Sequence, residues 1–147
     1  MKEKNLTLST AESCTGGMIG SCITAVPGAS SVYMGSAITY SNEMKQLLLN
    51  VSGDTLAAHG AVSSQTAFEM AEGACRNLKT DAAIAVTGIA GPDGGTIEKP
   101  VGLVYAGVSL NGKTRVTELH LNGDRQSIRQ RTCAMALFEL YKLLTED

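Results

Sequence analysis

The sequence predicts an α/β fold: a three-layer α/β/α sandwich with a mixed β-sheet. Three observations lead there. Short β-prone runs alternate with segments whose apolar residues recur at helical spacing. The run Ala82–Val86 is apolar throughout, as a strand covered on both faces must be. Asn111-Gly112 separates two further strand-like runs, and Asn-Gly is the strongest short signal for an antiparallel hairpin.

Taken in order, Asn5–Ser9 reads as a short strand. Thr15–Val26 reads as a helix with Met18, Ile19, Cys22, Ile23 and Val26 on one face, ended by Pro27-Gly28. Ser31–Tyr40 is a strand, bent or bulged at Gly35. Ser41 is a good N-cap for a helix through Leu49, and a short helical piece surrounds Asp54–His59. Ser63 or Ser64 caps a longer helix to Leu78, with Ala67, Met70, Ala71, Ala74, Cys75 and Leu78 inward. After the Ala82–Val86 strand, Gly102–Leu110 and Lys113–Leu121 form the hairpin. Asp124 caps a last helix to about Leu144, buried through Ile128, Thr132, Met135, Ala136, Leu140 and Leu143. The order β-α-β-α-α-β-β-β-α puts helices on both faces of the sheet. Residues 1–147 read as one domain, long enough to bury a substantial core.

Composition narrows the function. The chain is 44% hydrophobic with a mean hydropathy of +0.05, which is globular and not disordered. Its Gly, Ala, Ser and Thr suit close packing of helix on sheet. A net charge of −2 speaks against nucleic acid as an obligate ligand, because such a face needs clustered Lys and Arg. No apolar run approaches membrane-spanning length, and Met1-Lys2-Glu3-Lys4 is no signal peptide, so a cytoplasmic protein is expected. Cys14, Cys22, Cys75 and Cys133 form no C-x-x-C pair and fit a reducing compartment. With two histidines far apart, His59 and His120, a His-based metal site is not expected.

Four segments carry chemistry-bearing residues. Thr87-Gly88-Ile89-Ala90-Gly91-Pro92-Asp93-Gly94-Gly95 follows the buried strand, where ligands bind in open α/β sheets. Four glycines in nine residues exceed what a plain turn needs, and the loop matches neither a Walker A nor a Rossmann fingerprint. Ala11-Glu12-Ser13-Cys14-Thr15-Gly16-Gly17 opens the first helix, whose N–H groups can hold an anion or a developing negative charge. Ser13, Cys14 and Thr15 bring nucleophile-capable side chains there. Capping is the commoner role for such serines, and Ser9-x-x-Glu12 fits a capping box. In Thr39-Tyr40-Ser41-Asn42-Glu43-Met44-Lys45, a lysine of lowered pKa can serve as the base a hydroxyl nucleophile requires, and a tyrosine can relay a proton. A solvated helix surface is the commoner fate of such a lysine. Arg125 and Arg129, one turn apart at a helix N-terminus, suit a phosphate or carboxylate, or else surface salt bridges.

Together, AESCTGG, TYSNEMK, HGAVS, TGIAGPDGG with EKPVG, and GDR with a following Arg closely resemble the CinA C-terminal domain family, from about Leu6 to Leu144. Stand-alone members of that family include nicotinamide-nucleotide amidases. The resemblance implies hydrolysis of the carboxamide of nicotinamide mononucleotide to nicotinate mononucleotide and ammonia. It implies Ser13 as nucleophile, with Lys45 and Tyr40 as base and proton relay, and Thr87 lining the site. The helix-one N–H groups near Thr15, Gly16 and Gly17 would stabilise the oxyanion. Arg125, Arg129 or the glycine loop, including Gly88 and Gly91, would hold the substrate phosphate. No metal or organic cofactor is required. Homo-oligomerisation is expected, and the molybdopterin-binding-like domain that many CinA proteins carry is expected to be absent. Two other readings remain open at this point. Cys14 could be the nucleophile, its pKa lowered by the helix N-terminus. Alternatively, the domain is a non-catalytic nucleotide-sensing module in a competence or DNA-damage response.

Overall fold

A computed structural model describes residues 1–146. A five-stranded sheet runs in the order β2-β1-β3-β4-β5. Its strands are β1 (Leu8–Glu12), β2 (Tyr33–Ile38), β3 (Ala82–Gly88), β4 (Leu103–Leu110) and β5 (Lys113–His120). β1 pairs in parallel with both β2 and β3, whereas β3–β4 and β4–β5 are antiparallel, so the sheet is mixed. The helices are α1 (Met18–Thr24), α2 (Asn42–Leu49), α3 (Gly53–His59), α4 (Ser64–Leu78) and α5 (Arg125–Thr145). This is the expected three-layer sandwich. Among the described residues no helix is long and apolar enough to cross a membrane.

β3 explains the layering. Ala82, Ile84 and Val86 pack with Ile19 of α1 and with Ile128, Cys133, Ala136 and Leu140 of α5. Ala83 and Ala85 point the other way, against Met70, Ala71 and Ala74 of α4. All five are fully buried, which is why the run has no polar alternation. Small residues let α4 and α2 lie close. A Cβ on Gly73 of α4 would overlap the Leu49 carbonyl at the end of α2. That approach seats α2, and with it Lys45, against the sheet. Truncating fully buried Met70 to alanine should cost about 2–5 kcal/mol.

The local signals hold at the helix starts. Ser41, Ser63 and Asp124 each accept a backbone N–H bond at the N-cap of α2, α4 and α5. Ser52 does the same for α3. Asn111 and Gly112 both take positive φ, as a type I′ hairpin turn requires. Gly35 falls where the β1–β2 register shifts, the irregularity expected there.

The first strand is displaced from its expected place. β1 covers Leu8–Glu12 and not Asn5–Ser9, and Lys2–Lys4 form a 3-10 turn before it. The cause is burial on both faces: Ser9, Thr10 and Glu12 are polar, yet all are buried within the sheet, so composition concealed the strand. Helix α1 is correspondingly shorter than Thr15–Val26, because Thr15–Gly17 form the turn that enters it. The Ser9–Glu12 capping box is therefore incorrect. Ser9 lies within β1 and bonds the Thr80 hydroxyl at 2.7 Å.

Candidate active site

Three parallel strands end side by side, and each delivers one part of the site. Ser13 follows β1, Thr39 and Tyr40 follow β2, and Thr87 lies near the end of β3. Ligand sites in such sheets lie beyond these carboxyl ends. Here an open cleft of about 270 Å³ is lined by Ser13, Cys14, Tyr40 and Lys45, by Ala61 and Val62 before α4, by Thr87–Gly91, Asp93 and Gly94, and by Arg125.

At its floor Lys45 Nζ donates to Ser13 Oγ at 3.0 Å and to the Thr39 carbonyl at 2.8 Å. The two side chains are 32 residues apart in sequence and meet because α2 packs beneath the end of β1. Lys45 is only 1% exposed and Ser13 only 8%. Among the described residues Lys45 makes no ion pair. Burial without a compensating anion disfavours its charge and holds its pKa below the ordinary lysine range. The surface-lysine reading of Lys45 is thereby excluded. Neither His59 nor His120 lines the cleft.

The turn from Ser13 to Gly17 is held from two sides. Beneath it lies Glu12, fully buried. Its carboxylate accepts from Thr15 Oγ1 at 2.6 Å and from the backbone N–H groups of Gly17, Ile19 and Gly20 at 2.8–3.0 Å. A carboxylate at a helix N-terminus both satisfies orphan donors and complements the helix dipole. The sequence reading missed this role. The available signal was an acidic residue between a buried strand and a Gly-Gly turn. From the other side Arg129 of α5 donates to the carbonyls of Cys14 and Thr15, each at 3.0 Å.

These contacts revise several expectations. The Gly17 N–H is taken by Glu12 and that of Gly16 by the Ser13 carbonyl, so neither faces a ligand. Thr15 is fully buried with its hydroxyl on Glu12, and Thr15, Gly16 and Gly17 do not line the cleft. Among the described residues, the amides of Cys14 and Thr15 meet no acceptor within the chain. Arg129 does not line the cleft either, since its guanidinium is turned onto the Ser13–Gly17 turn and Gln126. Arg125, by contrast, reaches the cleft, donating to the Gly91 carbonyl at 2.7 Å and to the Tyr40 hydroxyl at 3.3 Å. Tyr40 is 66% exposed and stands at the mouth, with its hydroxyl on Arg125 and not on Ser13 or Lys45. Thr87 lines the cleft and donates to the Ala61 carbonyl at 2.8 Å. Gly88 and Gly91 form part of the wall, and at Gly91, with φ of 78°, a Cβ would strike Val101.

Cys14 lacks the lowered pKa that an activated thiol needs. Burial pushes its thiol up to about 11, outweighing the backbone hydrogen bond and the nearby positive charges of Lys45 and Arg129. It remains a protonated, buried thiol at neutral pH. Among the described residues no group of three His, Cys, Asp or Glu side chains is assembled to hold a metal ion.

The chain belongs to the CinA family, as its residues 1–144 match the model of the CinA C-terminal domain. It is 55% identical over 135 residues to a putative competence-damage inducible protein of Clostridium novyi, covering 92% of this chain and 33% of that protein. It is 53% identical over 137 residues to a CinA-like protein of Kosmotoga olearia, covering 93% of this chain and 33% of that one. The chain thus spans about one third of the length of these relatives. The crystal structure of competence/damage inducible protein CihA from Agrobacterium tumefaciens superposes with a TM-score of 0.95 at 43% identity, covering 97% of this chain and 88% of that one. A CinA superfamily protein from Escherichia coli gives a TM-score of 0.93 at 34% identity, covering 96% and 82%.

Proposed function

We propose that this chain is a serine amidohydrolase that converts nicotinamide mononucleotide to nicotinate mononucleotide and ammonia. One observation carries the reading: a buried lysine with no ion-pair partner, its amine 3.0 Å from a serine hydroxyl at the floor of a cleft. An amide is a poor electrophile, so its hydrolysis needs an activated hydroxyl and a stabilised oxyanion. A neutral Lys45 amine accepts the Ser13 proton as Oγ bonds to the carboxamide carbon. Its hydrogen bond to the Thr39 carbonyl keeps the amine aligned. The amide of Cys14, which lines the cleft, is the donor proposed for the tetrahedral oxyanion. Lys45 then protonates the departing nitrogen, which leaves as ammonia, and an acyl ester remains on Ser13. Water attacks that ester, giving its proton to Lys45. The carboxylic acid is released as Ser13 takes the proton back.

Arg125 is the cleft's exposed cation and is the group proposed to meet the substrate phosphate, with the glycine loop beside it. Tyr40 is assigned to the mouth as a contact for the ring or ribose, and its relay role would need its hydroxyl to leave Arg125. No cofactor takes part in these steps.

The test is ammonia release from nicotinamide mononucleotide by the purified protein, beside Ser13→Ala and with free nicotinamide as second substrate. Release that vanishes in Ser13→Ala and is absent with nicotinamide supports a nucleotide-specific amidase. Saturable nucleotide binding with no ammonia would overturn it in favour of a sensing module.

A further inference from the structure

We infer that Arg129 is a positioning residue for the proposed reaction: from behind the Ser13–Gly17 turn, it fixes the backbone that presents the Ser13 hydroxyl and the Cys14 N–H to the cleft. The inference rests on the assignment of Ser13 as nucleophile. Arg129 has the charge expected of a substrate-binding group, yet its contacts lie elsewhere. Nε donates to the Cys14 carbonyl and Nη2 to the Thr15 carbonyl, both at 3.0 Å, while Nη1 donates to Gln126 Oε1 at 3.0 Å. A planar guanidinium meets two consecutive carbonyls with two donors in a fixed fork, a geometry that the single nitrogen of an ammonium does not reproduce.

The geometry of a peptide unit supplies the consequence. The Cys14 carbonyl and the Thr15 N–H belong to one trans peptide, so they point in opposite directions. Fixing the Cys14 and Thr15 carbonyls onto one rigid guanidinium therefore sets the planes of two successive peptides, and with them the turn that follows Ser13. Glu12 completes the arrangement from the opposite side. It occupies the Gly17, Ile19 and Gly20 amides, which would otherwise be the anion site at this helix start. The turn is thereby left with the Cys14 N–H, at a residue that lines the cleft, next to the Ser13 hydroxyl.

The experiment measures the rate at which a fluorophosphonate labels Ser13, followed by mass spectrometry, since such a probe needs both the nucleophile and the oxyanion donors but no particular substrate. Wild type, Arg129→Ala and Arg129→Lys are compared, with and without added guanidinium at a concentration that leaves the thermal unfolding midpoint unchanged. Labelling should fall by about 10- to 100-fold in Arg129→Ala and be poorly restored in Arg129→Lys, given the loss typical of an oxyanion donor. Guanidinium should recover part of it, which it would not do for a merely unfolded variant. Affinity for nicotinamide mononucleotide, titrated in a Ser13→Ala background, should change by less than about threefold when Arg129→Ala is added. A matching loss of affinity would make Arg129 a substrate-binding group and overturn the inference, as would labelling within about threefold of wild type. Failure of wild type to label would overturn both the Ser13 assignment and the Arg129 role. Normal labelling without ammonia release would count only against the proposed substrate.

Discussion

The two glycine-containing loops of the site differ in almost every physical respect. The turn that carries the proposed nucleophile, Ser13–Gly17, is mostly buried and is bonded on both sides, by Glu12 and by Arg129. The glycine loop after β3 has seven consecutive exposed residues, Pro92–Glu98, and is secured mainly where it returns to the sheet, by Gly102 N–H to the Ile89 carbonyl. One side chain, Lys99, reaches across to the His59 carbonyl at 2.6 Å. Chemistry requires reacting groups held within a fraction of an ångström, and recognition tolerates a wall that adapts. In the proposed mechanism the first loop makes the bonds and the second recognises the substrate. Helix α5 serves both, with Arg129 on the nucleophile turn and Arg125, one turn earlier, on Gly91 of the glycine loop.

The strongest test of that division is at the buried turn. Ser13→Ala should lower turnover by at least about 10³-fold while nucleotide binding, measured by titration, stays within about threefold of wild type. Lost binding would instead place recognition in the turn.

Lys45→Met should reduce turnover by a similar order, and it adds a pH signature. The amine must be neutral to accept the Ser13 proton, so wild-type kcat should rise with pH until Lys45 is deprotonated, below the ordinary lysine value of 10.5. Stability follows the same group. Because the folded pKa lies below the unfolded one, the unfolded chain binds more protons between the two, and stability increases as pH rises through that interval. Below the folded pKa both states are protonated and the full burial cost remains. Thermal unfolding followed as pH rises toward the ordinary lysine value of 10.5 should therefore show this gain in wild type and not in Lys45→Met. Equal slopes would show that Lys45 is not the depressed group.

On the glycine-loop side, Arg125→Ala should raise KM for the nucleotide about tenfold and leave kcat within about threefold, the split expected of a group that binds substrate and transition state alike. A fall in kcat with unchanged KM would move Arg125 into the chemistry.

The smallest effect is expected at Cys14. Cys14→Ala should retain turnover within about threefold, and an alkylating agent at neutral pH should modify exposed Cys22 and leave Cys14 intact by peptide mass mapping. Rapid modification of Cys14 with matching loss of activity would return the thiol to consideration.

The sequence by itself determined the layers, the hairpin and the starts of α2, α4 and α5. Each is written in local chemistry: the apolar Ala82–Val86 run, the Asn111-Gly112 turn, and the capping residues Ser41, Ser63 and Asp124. It also drew attention to Ser13, Lys45 and Arg125 as residue types that can do chemistry. Only the tertiary structure decided which of them meet. Ser13 and Lys45 are joined by the close approach of α2 and α4 at Gly73, a contact between helices that no spacing along the chain encodes. Burial decided the rest, because protonation depends on surroundings and not on sequence neighbours. The same low-dielectric interior that pushes Lys45 toward a neutral base keeps Cys14 a protonated thiol. Direction separated the two arginines. They sit one turn apart on α5, yet packing aims Arg125 into the cleft and Arg129 onto the backbone of the nucleophile turn.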